Sequence, residues 1–243
     1  MWRLCVPCLA LVAACAQGGR QNIGDDGDDG SNTPIDARPP IDTITIDAPP
    51  MMVTLSQTTS PTVGGTNSFA CGNANTGTTG DNQWYRVFRL ADFNITGGLV
   101  VNSVAFGVQD SNGMPTVTVK VGTYSGVINP APDVLDTTLI TPIGMATYAV
   151  QNITSAAPQL ITVPLMANVP ALSQLVAEVD VPDLQAAGKR FYIGGNAAGQ
   201  TAPTWLRSIV CSPDGKAKNI NSAGGLNAPS SQIILQVNGT YSP

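Results

Sequence analysis

From Met51 to the end of the chain, short apolar runs alternate with clusters of turn residues. In residues 117–121 every second residue is apolar, which is typical of a strand with one face in a core and the other in water. Asn112-Gly113 and Pro213-Asp214-Gly215 have the composition of turns. A helical period is not sustained anywhere in this part beyond one or two turns, for example at 90–93. Roughly nine strands are predicted, at 84–90, 99–108, 116–124, 143–150, 160–163, 175–181, 191–194, 204–209 and 233–237.

Short strands joined by connections rich in glycine and proline predict an all-β domain. The expected architecture for residues 51–243 is an antiparallel β-sandwich of jelly-roll type, preceded by a signal peptide and a disordered tether.

The first residues have a different pattern, in which Arg3 is followed by an apolar run over 4–14. This run is too short to cross a bilayer, which takes about 20 residues, and it has the length of the apolar core of a signal peptide. Small residues directly before Cys15 make the site similar to the lipobox of bacterial lipoproteins. The resemblance implies that the signal peptide 1–14 is removed and that Cys15 carries a lipid anchor. An ordinary secretory signal is the alternative, and both interpretations export the chain.

Residues 15–50 read as a tether, because acidic and proline-rich segments cannot bury enough apolar surface to fold. Residues 16–50 contain seven aspartates and two arginines, and their repeated Asp-Ala-Pro-Pro stretches resemble the tethers of myxobacterial lipoproteins. The aspartates lack the ligand spacing of an EF-hand loop, so no cofactor is expected, and a structural Ca²⁺ ion is kept only as an alternative. Residue Ala16 is not the aspartate that retains enterobacterial lipoproteins at the inner membrane, and the resemblance therefore implies the outer membrane, on either of its sides.

The domain itself is close to neutral, with nine acidic and eight basic residues from Met51 onward. No basic patch suggests nucleic acid as a partner. Two cysteines remain in this domain, Cys71 and Cys211. Export would place them in an oxidising compartment, and an even number in the domain favours a disulfide between them. Two buried free thiols are the alternative.

Histidine is absent from the chain, which excludes Ser-His-Asp and Cys-His catalysis and HExxH zinc sites. Glu178 is the only glutamate and lies in an apolar run, two residues before Asp180. One interpretation is a carboxylate pair on one face of a strand, with Ca²⁺ as a possible ligand of the pair. The preferred interpretation is a structural ion pair of Glu178 with Arg86, because an unpaired buried carboxylate is costly.

Aromatic and polar residues offer a second kind of site. Trp84, Trp205 and Tyr85 are candidates for a sugar-binding platform, although aromatic residues in strands more often belong to a core. Asp81, Asn196 and Gln200 lie near turns and are the polar candidates for ligand binding.

Residues 81–93 read Asp-Asn-Gln-Trp-Tyr-Arg-Val-Phe-Arg-Leu-Ala-Asp-Phe, which is similar to a signature of secreted bacterial proteins, DNxxYRVFxLxxF. The similarity continues through 101–108, 175–179, 191–196 and 232–239 and so covers nearly all of residues 65–240. The resemblance implies an exported β-sandwich domain and no particular activity.

Three functions are consistent with these patterns. The preferred one is a membrane-anchored, exported, non-catalytic lipoprotein whose β-sandwich binds a surface glycan or another exported protein. The second is a structural envelope lipoprotein without a small ligand. The third is a hydrolase that uses aspartates together with Glu178, and without histidine or a recognisable catalytic constellation no enzyme is expected.

Overall fold

A computed structural model describes residues 49–242. The signal peptide, Cys15 and the tether as far as Ala48 lie outside the described residues, so the expectations for them stay predictions.

Fifteen strands and two short 3₁₀-helices make up the described part. In chain order the strands are β1 (Met51–Leu55), β2 (Gly72–Asn73), β3 (Thr78–Thr79), β4 (Asn82–Arg89), β5 (Leu99–Asn112), β6 (Thr116–Tyr124), β7 (Val134–Leu135), β8 (Ile140–Ala149), β9 (Gln159–Val169), β10 (Gln174–Val181), β11 (Arg190–Asn196), β12 (Trp205–Arg207), β13 (Ala217–Asn219), β14 (Gln232–Ile233) and β15 (Leu235–Tyr241). The 3₁₀-helices are Leu90–Phe93 and Thr137–Leu139.

These strands form two large sheets, and every strand pair is antiparallel. The six-stranded sheet has the order β1-β15-β5-β11-β14, and β9 also pairs with β5. The seven-stranded sheet has the order β7-β13-β12-β4-β10-β6-β8, and β2 and β3 form a separate hairpin. The all-β, antiparallel sandwich predicted from the sequence is confirmed.

Alternation of side chains explains why the sheets bury one face each. In β6, Val117, Val119 and Val121 are buried, whereas Thr118 and Lys120 point to the other face and are half-buried. The same rule holds across both sheets, because successive residues of a strand point to opposite faces. The inward-facing apolar residues of the two sheets therefore share one core.

The core is tied together by aromatic packing and by a disulfide. Trp84 from the seven-stranded sheet and Phe191 from the six-stranded sheet have ring centroids 5.9 Å apart. Cys71 and Cys211 form the predicted disulfide, with Cα atoms 5.6 Å apart across a sequence separation of 140 residues. The disulfide closes a long loop, which in the chain-entropy model stabilises the fold by at most about 5 kcal/mol.

A second, smaller apolar cluster lies on the outer face of the seven-stranded sheet. Segment 125–140 covers this part of the sheet, and β7 within it pairs with β13. The buried members of the cluster are Tyr85, Val87, Tyr124, Leu135, Val176, Trp205 and Ala217. The outer face of this sheet is therefore partly covered, and the candidate site lies beside the covered area.

Candidate ligand-binding site on the outer face of the seven-stranded sheet

The predicted ion pair between Arg86 and Glu178 is wrong. Strands β4 and β10 are neighbours, but Arg86 lies opposite Ala177 and Glu178 lies opposite Tyr85. Opposed residues of paired strands point to the same face, so Arg86 points into the core and Glu178 points outward. Glu178 is one residue away from the partner of Arg86, and this offset places the two side chains on opposite faces of the sheet.

Arg86 is fully buried and is satisfied by neutral oxygen atoms instead. Its guanidinium donates hydrogen bonds to the carbonyl oxygens of Ile233, at 2.7 Å and 3.2 Å, and Ala202, at 3.1 Å, and to the side-chain oxygens of Gln57, at 3.2 Å, and Gln200, at 2.9 Å. Burial lowers the pKa of Arg86 to about 9, so the side chain remains charged at neutral pH. Arg86 therefore joins the two sheets and the segments around Gln57 and Gln200.

Glu178 is bound by Lys120 of the neighbouring strand β6. Lys120 Nζ lies 2.9 Å from Glu178 Oε1 and 2.6 Å from Asp180 Oδ2. This contact follows from the register, in which Glu178 lies directly opposite Lys120. Asp180 lies two residues further along β10 and therefore on the same face. The interpretation of Glu178 and Asp180 as carboxylates on one strand face is therefore correct, and a lysine holds them together.

The other half of the site comes from β4 and β12. Gln83 Oε1 accepts hydrogen bonds from Tyr85 Oη at 2.9 Å and from Arg207 Nη1 at 2.8 Å. Arg207 is fixed further by its Nε, which donates to the carbonyl oxygen of Gly215 at 2.9 Å. We call the six side chains Gln83, Tyr85, Lys120, Glu178, Asp180 and Arg207 the outer-face cluster.

Burial and charge act against each other in the outer-face cluster. Burial raises the pKa of Glu178, and the hydrogen bond from Lys120 opposes that rise. Burial would lower the pKa of Lys120, but the hydrogen bonds to Asp180 and Glu178 outweigh it and raise that pKa. Burial, with Glu178 nearby, also raises the pKa of Tyr85, so its hydroxyl stays protonated and able to donate. The cluster thus places two basic side chains, Lys120 and Arg207, beside two acidic ones, Glu178 and Asp180.

A cleft of about 270 Å³ opens beside the cluster. Its floor is formed by cluster residues, and its wall comes from segment 125–142, through Thr137, Ile140 and Pro142. Within residues 49–242, Glu178 Oε2, Asp180 Oδ1, Gln83 Nε2 and Arg207 Nη2 make no hydrogen bond to protein. The cluster therefore offers unused donors and acceptors next to an open cleft.

The two predicted platform tryptophans are part of cores. Trp84 and Trp205 are 0% and 1% exposed, and their indole nitrogens donate to the carbonyl oxygens of Phe69 and Pro132. Trp84 points into the sandwich, whereas Trp205 is covered by the segment that contains Pro132. Neither ring offers a face to a ligand, so their assignment as ligand-binding residues is corrected.

The polar candidates are scattered and have structural partners. Asn196 donates to the carbonyl oxygens of Ser60 and Thr62, at 2.9 Å and 3.0 Å, and holds that segment against β11. Gln200 binds Arg86, and Asp81 lies 3.5 Å from Ser208 Oγ, at the limit for a hydrogen bond. The structure does not bring Asp81, Asn196 and Gln200 together in one site.

Two further observations concern metals and membranes. In the part of the chain that the structure describes, no three His, Cys, Asp or Glu side chains converge on a point where a metal ion could be held. Between residues 49 and 242 there is also no helix with the length and apolar character needed to cross a bilayer.

Sequence reasoning missed Lys120, Gln83 and Arg207. The alternation in residues 117–121 already places Lys120 on the polar face of its strand. Its partners depend on the strand order, which brings β6, β10, β4 and β12 side by side from distant parts of the chain.

Compared with known proteins, the chain matches no protein-family model and no curated protein.

Proposed function

We propose that this chain is an exported, membrane-anchored, non-catalytic lipoprotein whose β-sandwich binds a neutral, hydroxyl-rich ligand, a carbohydrate, at the outer-face cluster. The observation that carries the proposal is the set of unused hydrogen-bonding groups of Gln83, Glu178 and Arg207, all of which line the cleft. Binding sites fix their ligands through a few well-placed polar groups of this kind.

Charge balance supports a neutral ligand. Lys120 and Arg207 offset Glu178 and Asp180, so a charged ligand would leave a net charge in a partly buried place. A sugar hydroxyl donates and accepts at once, and this matches carboxylate oxygens that lie close to amide and guanidinium donors. The cleft volume of about 270 Å³ suits a single sugar ring rather than a larger molecule.

The arrangement of the carboxylates supports binding rather than hydrolysis. In glycosidases two carboxyl groups flank the scissile bond, about 5–5.5 Å apart in retaining enzymes and further apart in inverting ones. Here Lys120 Nζ bonds both carboxylates and takes the space between them. Asp180 does not line the cleft, so only Glu178 of the pair faces it.

Anchoring is the second part of the proposal and rests on Cys15 alone. The residues before Cys15 support cleavage and lipid attachment, and the acidic segment that follows supports a spacer between membrane and domain. We expect Cys15→Ala to move the exported chain from the membrane fraction to the soluble fraction. Metabolic labelling with an alkyne-tagged fatty acid should label the wild type only, and equal labelling of the variant would contradict the assignment.

Glycan-array binding tests the sandwich part directly, with the Cys15→Ala chain used to avoid a lipid. Gln83→Ala and Arg207→Met should each weaken binding about tenfold or more, which corresponds to the loss of about one hydrogen bond to the ligand. Arg89→Met is the matched control, because Arg89 lies on the same face of β4 in an exposed pair with Asp92. Retention of glycan binding by both cluster variants would contradict the proposal. Absence of any glycan binding, with one protein co-purifying at fixed stoichiometry, would favour a structural envelope role instead.

A further inference from the structure

A second cavity lies near the C-terminal end of β5, far from the point where the chain enters the sandwich. The chain enters through β1, whose first residue Met51 pairs with Tyr241, which in turn pairs with Leu99 at the start of β5. The cavity has a volume of about 260 Å³ and lies near the other end of β5. We call it the distal pocket, and its lining residues are Gly77, Gln109, Asp110, Ser155, Arg190 and Tyr192.

A β-bulge shapes the distal pocket. Along β5 and β11, Tyr192 pairs with Asp110 and Ile193 pairs with Val108, so Gln109 is an extra residue in β5. In a regular strand the neighbours Gln109 and Asp110 would point to opposite faces, whereas here both line the same cavity. Bulges redirect side chains in this way and occur often beside functional sites.

The polar groups of the pocket are held in place and are only partly used. Arg190 Nε lies 2.5 Å from Asp110 Oδ1, and the Arg190 side chain is 39% exposed. Gln109 Oε1 accepts a hydrogen bond from the backbone nitrogen of Ser68 at 2.8 Å, which leaves the amide NH₂ as a donor. Within residues 49–242 no hydrogen bond engages Arg190 Nη1 and Nη2, Asp110 Oδ2 or Gln109 Nε2.

Tyr192 adds a partly exposed aromatic ring to the distal pocket. The outer-face cluster has no exposed aromatic ring, because Tyr85 is buried. Tyr192 is half-buried and lines the cavity, and its hydroxyl donates a long hydrogen bond of 3.4 Å to the carbonyl oxygen of Gly77. A tyrosine in such a position presents an apolar ring and a polar tip to a ligand. The pocket thus combines one ring with planar polar side chains that can bond hydroxyl groups.

From this combination we propose that the distal pocket is a second binding site, for a neutral pyranose ring that packs on Tyr192 and hydrogen-bonds Asp110, Arg190 and Gln109. The ligand is a neutral sugar rather than a phosphate or a carboxylate, because Asp110 beside Arg190 repels an anion. A hydroxyl group satisfies both an Arg190 donor and the free Asp110 oxygen. The site is independent of the outer-face cluster, since it belongs to the other sheet.

Residue-resolved NMR tests this site on the full Cys15→Ala chain. The probes are the methyl pyranosides of glucose, mannose, galactose and N-acetylglucosamine, with inorganic phosphate as the anion probe. We expect at least one glycoside to shift the amides of Gly77, Gln109 and Tyr192 with a dissociation constant of roughly 1 mM, typical of a shallow site for one ring. Tyr192→Ala should weaken this binding at least tenfold, whereas Tyr192→Phe should keep it.

Controls separate this site from the proposed function and from misfolding. Amides near Lys120 and Glu178 report the outer-face cluster in the same spectrum, so failure at one site is distinguishable from failure at the other. Arg190→Met should weaken binding at the distal pocket, and Arg89→Met, which alters an exposed Arg–Asp pair elsewhere, should not. Shifts with phosphate but with no glycoside, no shift with any probe, or an unchanged affinity in a folded Tyr192→Ala variant would each overturn the proposal.

Discussion

Arg86 and Lys120 are two cations on the strands that flank β10, and their side chains lie on opposite faces of the sheet. Arg86 points into the core, where neutral oxygens from four residues occupy its donors. Lys120 points to the outer face and bonds two carboxylates, each of which keeps a second oxygen free of protein partners within residues 49–242. All hydrogen-bonding groups of the Arg86 side chain are therefore used within the protein, whereas the groups around Lys120 include some that a ligand can use.

The comparison shows how a charged residue in a strand can be assigned a role. A buried charge whose hydrogen bonds are all made within the protein contributes to stability, because removing it leaves several buried partners unsatisfied. A partly exposed cluster with unused donors and acceptors contributes less to stability than such a buried charge, and its unused groups can bind a ligand.

Removal of the Arg86 guanidinium should have the largest effect. Arg86→Met should lower the free energy of unfolding by about 3–5 kcal/mol, since Ile233 O, Gln57 and Gln200 would lose a charged partner in the core. Urea unfolding followed by tryptophan fluorescence measures this change. Arg89→Met is the control and should cost less than about 1 kcal/mol, because its pair with Asp92 is exposed. Equal costs for the two variants would remove the basis of the comparison.

Removal of the Lys120 ammonium should have an intermediate effect. Lys120→Met would leave Glu178 and Asp180 side by side with no cation bonded to either, and we expect a loss of stability of about 1–3 kcal/mol at neutral pH. The loss should shrink in acid, because protonation relieves the repulsion between the carboxylates. A loss that stays constant from pH 4 to pH 7 would show that packing of the lysine stem, and not charge, is responsible.

The raised pKa of Glu178 predicts the sign of a pH effect. Because burial raises the folded-state pKa above the ordinary 4.5, the associated stability is present below pH 4.5 and is lost as pH rises through the raised value. Glu178→Gln cannot ionise, so its stability relative to the wild type should improve between pH 4 and pH 7. Denaturant titrations of both proteins at these two pH values provide the measurement. A change in the opposite direction would mean that Lys120 stabilises the carboxylate more than burial destabilises it.

The smallest effect on stability is expected at Gln83. Gln83→Ala removes an acceptor for Tyr85 and Arg207 that lies at the cleft, and we expect a cost of about 1 kcal/mol or less. The melting temperature should change by only a few degrees. A cost as large as that of Arg86→Met would place Gln83 among the structural residues instead of the binding residues.

Much of the fold was predictable because its long strands have clear side-chain periods. The run 117–121 in β6 and the apolar stretch around Glu178 in β10 needed only local pattern to be recognised. Strands β2, β3, β7 and β13 were missed, because two or three residues are too few to show a period. The five-residue strand β1 was missed as well. The Cys71–Cys211 disulfide was predictable from the export signal expected at the N-terminus and from the two cysteines of the domain.

The partners of the charged residues were not predictable in the same way. Arg86 donates a hydrogen bond to the carbonyl oxygen of Ile233. Every residue has a backbone carbonyl group, so the sequence does not indicate which one accepts the bond. The Arg86–Glu178 prediction failed because it considered side-chain chemistry without the register of β4 and β10. One available signal was overlooked, since Trp84, Arg86 and Phe88 share the same parity in β4 and therefore the same face.

The central claim is that the inner arginine maintains the fold and the outer-face cluster binds a ligand. Parallel measurement of unfolding free energy and glycan-array binding for Arg86→Met and Arg207→Met tests it most directly, with both changes made in a Tyr192→Ala background so that the distal pocket does not contribute to glycan binding. We predict that Arg86→Met loses several kcal/mol of stability, whereas Arg207→Met loses about 1 kcal/mol or less and binds glycan at least tenfold more weakly. Undiminished glycan binding by a folded Arg207→Met protein, or a larger stability loss for Arg207→Met than for Arg86→Met, would contradict the account.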